Sequence, residues 1–246
     1  MILYSVVIPI KNEEQNIRPL IEELESVMRT LQYNGTKAPW ELLIINDGST
    51  DGSAQILNDL KSTYKELRVV HFERNYGQSS AFDAGFRLAK GEFVITLDGD
   101  RQNDPHDIPK LLDIIAKGAD LVCGQRKKRK DSFFKRAISK LANAVRSRLC
   151  QDGISDTGCS LKVYRRKCLK EIKLFDGMHR FLPALFQIEN FRVEEVAVNH
   201  RERVAGKSNY NLFNRSFNTI WDLLAVVWMR KRHLKYPRIK LLEEND

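Results

Sequence analysis

The sequence predicts an α/β protein built on a doubly wound, mostly parallel sheet flanked by helices. Two observations lead there. Short β-rich runs alternate with helically spaced apolar residues through the first half, and each run ends in a cluster of polar and charged residues. The candidate strands are Tyr4 to Ile10, Glu41 to Ile45, Arg68 to Phe72 and Phe93 to Leu97, and the stretches opening at Glu13, Asp51 and Ser79 read as the intervening helices. In sheets of this kind ligands bind beyond the carboxyl ends of the strands. The segments to inspect are therefore Lys11-Asn12-Glu13, Asn46-Asp47-Gly48-Ser49, Arg74-Asn75 and Asp98-Gly99-Asp100.

The second half is less regular. It holds candidate strands at Asp120 to Cys123, Leu161 to Tyr164 and Val193 to Val198, and a basic helix around Phe134 to Leu149. An aromatic helix closes it, after the loop marked by Gly206 and before Pro237. A chain of 246 residues accommodates one such unit with a full core, so the expected organisation is a catalytic domain over 1–210 and an amphipathic, basic helix and tail over 211–246.

With 42% hydrophobic and 30% charged residues and no repeat or low-complexity tract, the composition is that of a globular protein. The net charge of +9 is local: Arg126 to Arg148 carries ten Lys or Arg against Asp131 alone, and Arg230 to Lys240 carries six with no acid. Such footprints point to a polyanionic partner, nucleic acid or an anionic membrane surface, with a solvated charged face as the alternative. Nucleic acid is disfavoured because only Phe133 and Phe134 accompany the first basic run, too few for a stacking platform. Cys123, Cys150, Cys159 and Cys168 show no zinc-ligand or redox spacing, so buried thiols are expected. MILYSVVIPI reads as a strand, not a signal peptide, and no window reaches the roughly 18 apolar residues of a membrane span. A membrane association would be peripheral.

FVITLDGDRQNDP runs a buried strand into Asp98-Gly99-Asp100. Two carboxylates at i and i+2 after a strand can share a hard divalent cation, Mg²⁺ or Mn²⁺, that keeps positions open for phosphate oxygens. The alternative is an Asp/Gly turn; Asp104 in any case suits a helix cap. ELLIINDGSTDGS repeats the arrangement, with Asp47 able to accept from the imide of a base and Asp51 suited to cap a helix. Gly77 and Gly85 read as conformational or packing glycines.

Taken in order, VVIPIKNEEQNI, NDGSTDGS, RNYGQSSAFDAG, LDGDRQNDP, DTGCSLKVYRR, MHRFLPAL and HRERVAGKSNY resemble the family-2 glycosyltransferases of the dolichyl-phosphate mannosyltransferase type, over residues 4 to 212. The resemblance implies a GT-A fold and inversion at the anomeric carbon. It implies metal ligands at Asp98, Asp100 and Gln102, and Arg203 at the donor phosphates, making Asp98, Asp100 and Arg203 the catalytic set. Pro9, Glu13, Asp47, Lys207 and Ser208 complete the donor side, with Glu13 and Asp47 near the base. Lys11 and Asn209 depart from the family pattern, and guanine and uracil both stay open.

A hydroxyl acceptor needs a general base, whereas a phosphate is already anionic and needs cations that hold it in line. Arg126, Arg129 and Arg136, with His179 and Arg180, are the candidates for an acceptor phosphate, and Arg201 and Arg203 are candidates to line the same cleft. Asp156 either closes the acceptor side or holds a turn. Phe213, Phe217, Ile220, Trp221, Leu224, Val227 and Trp228 form one helical stripe ahead of Arg230-Lys231-Arg232, as an interfacial helix requires. Packing of that stripe on the protein's own sheet or a second subunit is the alternative, and a homo-oligomer or a membrane-protein partner stays open. The expected function is transfer from a nucleotide diphosphate sugar to a polyprenyl phosphate at the cytoplasmic membrane face. Transfer to a saccharide hydroxyl in cell-surface polysaccharide synthesis, or an inactive membrane-binding module, are the alternatives.

Overall fold

The computed structural model describes residues 2–126, 146–203 and 212–234, with side chains of the last stretch from residue 219 onward. Its strands are β1 (Tyr4–Ile10), β2 (Gln32–Tyr33), β3 (Thr36–Lys37), β4 (Trp40–Asn46), β5 (Leu67–His71), β6 (Phe93–Thr96), β7 (Leu121–Arg126), β8 (Lys162–Arg165) and β9 (Val193–Val198). Seven of them form one sheet in the order β5-β4-β1-β6-β8-β7-β9. Pairings from β5 through β6 are parallel, β8 runs antiparallel to both neighbours, and β7 pairs β9 in parallel. The expected mostly parallel α/β sheet is what forms.

The two-residue period of β1 explains the double winding. Val6 and Ile8 face the core shared with α1 (Glu14–Met28), α2 (Ser53–Lys61) and α4 (Ile108–Ala116), while Val7 faces the opposite core with α3 (Gln78–Leu88) and the helix Leu182–Ile188. Gly85 lets α3 approach the sheet: a Cβ there would lie 2.2 Å from Val7 Cγ1. Gly77 is the conformational glycine of the pair, at φ +90°.

The structure adds features that the strand pattern did not predict. Asn34 and Gly35, both at positive φ, turn the small β2-β3 hairpin. β7 continues to Arg126, three residues past the expected end, because β9 pairs it along its whole length. Of the basic helix expected over Phe134 to Leu149, residues 134–145 lie outside the described residues, as do 127–133 before it, and 146–150 are helical. All four cysteines are free and buried, as expected.

The helix Leu212–Arg232 divides its faces. Val226 is fully buried in the core beside the helix Leu182–Ile188, with Leu223 and Met229 packed against it. Ile220, Trp221, Leu224 and Trp228 are 50–65% exposed. Packing on the protein's own body therefore claims one side and leaves the aromatic side in solvent. Phe213 and Phe217 lie where side chains are not described. No helix among the described residues is long and apolar enough to cross a membrane.

Candidate active site

The carboxyl ends of β1, β4 and β6 open onto a cleft of about 610 Å³. Pro9, Lys11, Glu13, Asp47, Gln78, Asp98, Asp100, His179, Arg180 and Arg203 line it, together with Trp221 and Asp222 from the last helix. A larger groove of about 900 Å³ on the far side of Ser79 holds none of the carboxylates that follow these strands. The chemistry belongs to the first.

Local backbone chemistry shapes its floor. Asn12, at φ +57°, accepts from the Thr50 N–H through Oδ1 at 2.8 Å, while its own N–H donates to Ser49 Oγ at 2.9 Å; this laces the loops after β1 and β4 together. Asp47 is buried and accepts from the N–H groups of Tyr76 (2.7 Å) and Gly77 (2.9 Å), so the loop after β5 hangs from it. Gly48, at φ +62°, lies so close to Arg74 that a Cβ would stand 2.3 Å from its carbonyl carbon.

Asp98 and Asp100 face the same cleft. Gln78 Nε2 donates to Asp98 Oδ1 at 2.8 Å, and the Asp98 N–H donates to the buried Asn103 side chain at 3.2 Å. Burial, and next the charge of Asp100, push the Asp98 carboxyl above its ordinary range. Arg203 Nη2 lies 2.7 Å from Asp100 Oδ2 and 3.9 Å from Glu13 Oε1. Burial pushes Glu13 up as well, against opposing bonds and charges from Asn16 and Arg203.

Across the cleft, His179 Nδ1 pairs with Ser79 Oγ at 2.8 Å, and the same hydroxyl accepts from the Gly177 N–H at 2.9 Å. Arg180 Nη1 donates to Thr219 Oγ1 at 2.9 Å, tying this wall to the last helix. Burial raises Asp222, while the Arg180 charge opposes the shift.

The structure thus brings together Pro9, Glu13, Asp47, Asp98, Asp100, Arg203, His179 and Arg180. Gln102 is turned away from the lining: its N–H donates to Asp100 at 3.1 Å, but its amide reaches the Arg201 carbonyl at 3.4 Å. Arg126 does not line the cleft either. Its guanidinium grips Asp156 with two 2.7 Å bonds, so the Asp156 carboxylate is committed to β7 and not to the cleft lining. Arg201, expected in the cleft, is bound to Glu23 and Asp104 instead. Arg129, Arg136, Lys207 and Ser208 lie outside the described residues. Sequence reasoning missed Gln78 and Asp222 as lining residues. Gln78 had one signal, its position after a glycine at the opening of a helix; Asp222, an acid within the apolar stretch Ser216 to Met229, carried none that pointed to the cleft.

This chain matches the glycosyl transferase family 2 profile over residues 5–173. It belongs to that family. A dodecaprenyl-phosphate galacturonate synthase from Rhizobium johnstonii is 41% identical over 234 residues, covering 92% of this chain and 67% of the relative. An undecaprenyl-phosphate 4-deoxy-4-formamido-L-arabinose transferase from Pectobacterium carotovorum subsp. carotovorum is 38% identical over 222 residues, covering 90% of this chain and 66% of the relative. The chain therefore spans about two thirds of the length of these relatives. Among solved structures, glucosyl-3-phosphoglycerate synthase from Mycobacterium tuberculosis, in complex with Mn²⁺, UDP and glucosyl-3-phosphoglycerate, superposes with a TM-score of 0.65 at 19% identity, covering 93% of this chain and 79% of that one. S. aureus TarS 1-349 in complex with UDP-GlcNAc gives 0.60 at 19%, covering 93% and 67%. These structural likenesses identify the glycosyltransferase fold. Among the described residues, Glu23, Asp104 and His106 also bring ligand atoms within 4.8 Å of one another, as a metal cluster would.

Proposed function

We propose that this glycosyltransferase moves a sugar from a nucleotide diphosphate sugar to a polyprenyl phosphate, working on the cytoplasmic face of a membrane. The observation that carries the acceptor is the identity of the relatives at 38–41%, whose own acceptors are dodecaprenyl and undecaprenyl phosphate. The cleft supports it, since Asp98, Asp100, Glu13 and Arg203 line it together with His179 and Arg180, two candidate ligands for an acceptor phosphate.

The donor side works by charge. Asp98 and Asp100 are adjacent oxygen donors whose mutual repulsion a hard cation would relieve, so the set fits Mg²⁺ or Mn²⁺; Gln102 would have to swing its amide from Arg201 to join them. Held there by Asp98 and Asp100, such a cation would neutralise charge on a leaving diphosphate. Arg203, already over Asp100, is placed to share that task, with Lys207 and Ser208 as the donor residues that follow it. Glu13, Asp47 and Pro9 then face the nucleoside. An acceptor phosphate oxygen attacks the anomeric carbon from the opposite side as the bond to the diphosphate breaks, which inverts the centre. His179 and Arg180 orient that phosphate and no base is needed, while Arg129 and Arg136 remain proposed contributors from the basic run.

The exposed Ile220, Trp221, Leu224 and Trp228, followed by Arg230, Lys231 and Arg232, suit an anionic membrane surface. We assign residues 1–210 to catalysis and 211–246 to surface attachment. The Arg180 to Thr219 bond ties that helix to the cleft, which Trp221 and Asp222 also line.

Incubation of the protein with membranes and a panel of radiolabelled UDP- and GDP-sugars tests the reading. Label should enter the lipid extract and be released by mild acid, as a phosphate-linked sugar is. Label appearing instead in an acid-stable saccharide would replace it with the hydroxyl acceptor, for which Asp222 or Asp176 in the cleft would be the base.

A further inference from the structure

The strap that leaves β9 carries Arg203, and it is laced to the loop after the Asp98-Gly99-Asp100 turn. The Asn199 N–H donates to Asp107 Oδ2 at 2.6 Å, and the Arg201 N–H donates to the Gln102 carbonyl at 2.8 Å. Between Asn199 and Arg201, His200 forms a bridge with Asn103. The Arg201 side chain ties the strap to two other elements at once. Its Nη2 lies 2.7 Å from Glu23 Oε1 on α1 and 2.7 Å from Asp104 Oδ1, and its Nη1 lies 3.0 Å from Glu23 Oε2. Two residues on, Arg203 meets Asp100.

We propose that Arg201 is a positioning residue for the donor step: clamped between Glu23 and Asp104, it fixes the backbone from which Arg203 is presented to the donor diphosphate. The cation that Glu23 and Asp104 share is thus a guanidinium, and His106 joins them through the local Asp104 cap, its backbone N–H donating to Asp104 Oδ1 at 3.1 Å. The fork geometry matters, because two carboxylates on different elements fix the plane of one guanidinium in a way a point charge does not. An arginine on a long flexible stem is useful in a transition state only if its backbone is held. The proposal rests on the reading of Arg203 as a donor-phosphate ligand.

A double-mutant cycle on the full chain tests it, with UDP and GDP each titrated calorimetrically in the presence of Mn²⁺. Arg201→Met should weaken binding of whichever diphosphate the protein takes by about tenfold, the range seen when an outer partner of a ligand is lost. It should raise the donor KM more than it lowers kcat, and Arg201→Lys should recover only part of the loss. In an Arg203→Met background, Arg201→Met should add nothing, since it acts through Arg203. The same factor in both backgrounds, or no loss in the single variant, would overturn the proposal. An Arg203→Met protein that binds both nucleotides like the wild type would instead overturn the reading of Arg203, and the proposal with it. Should Arg201→Met fail to fold, Arg201→Lys in the same cycle gives the same decision.

Discussion

Replacing Arg126 with Gln should cost about 3 kcal/mol of folding stability, within the ~3–5 kcal/mol expected when one partner of a buried ion pair is removed. The side chains of Arg126 and Asp156 are only 14% and 10% exposed, and the guanidinium makes two 2.7 Å bonds to the carboxylate. The lower end applies because the residue 126 N–H still donates to Asp156 at 3.2 Å after the change. The pair is also framed: Glu195 accepts the Asp156 N–H at 2.9 Å, and a Cβ at Gly158 would stand 2.9 Å from Arg126 Nη2. Urea denaturation of Arg126→Gln, Asp156→Asn and the double variant measures the effect. The double variant should lose less than the sum, since neither partner is then left buried and charged. The sign with pH follows from Asp156. Burial raises its carboxyl, but bonds and charge from Arg126 outweigh this and hold it below the ordinary 3.8. A depressed folded value means that its contribution is complete above 3.8 and fades as the pH falls below that toward the folded value. The gap between wild type and Asp156→Asn should close over that interval. An Arg126→Gln protein within about 0.5 kcal/mol of wild type, the range of an ordinary surface change, would show that the Arg126–Asp156 pair is not a buried structural bridge and return Arg126 to the candidates for an acceptor phosphate.

Asp100→Ala should abolish sugar transfer while leaving the circular dichroism spectrum and melting temperature close to wild type; full turnover in excess EDTA would sink the metal assignment. Leu224→Ser with Trp228→Ser should lower partition onto anionic vesicles on the order of 10–100-fold, from partial loss of the ~1.5–3 kcal/mol a large apolar side chain gains on burial. Both residues are exposed and away from the cleft, so melting should be unchanged, and vesicle flotation equal to wild type would remove the membrane face from this helix. Gly48→Ala forces a Cβ against Arg74 at φ +62° and should cost about 1–3 kcal/mol, with weaker nucleotide binding as the loop hung on Asp47 shifts. Unchanged denaturation and titration curves would show that the close approach is not required.

The sheet was legible because its signals are local. Alternating runs, the acids after β1, β4 and β6, and the small residue at Gly85 each report on a few neighbouring positions, and one strand period sends Val6 and Val7 to opposite cores. For the same reason Asp47, Asp98, Asp100 and Glu13 could be named in advance: a parallel sheet delivers whatever follows its strands to one edge. The apolar stripe of the last helix was equally readable, though the sequence offered it both membrane and core.

Charged side chains with long reach were not legible, because their partners are chosen across the fold. Arg126 finds Asp156, 30 residues away, and Arg201 finds Glu23, 178 residues away, so neither stays in the cleft to which its neighbours point. Asp222 enters the cleft only because Val226, one turn on, is drawn into the core beneath it. Backbone periodicity and turn chemistry act over a few residues, so the principal strands and the acids at their ends could be read from the chain alone, whereas the β2-β3 hairpin and the helix Leu182–Ile188 could not. Only the tertiary structure decided which cations those acids hold, because a charge takes the partner that burial brings near, and burial is a property of the whole chain.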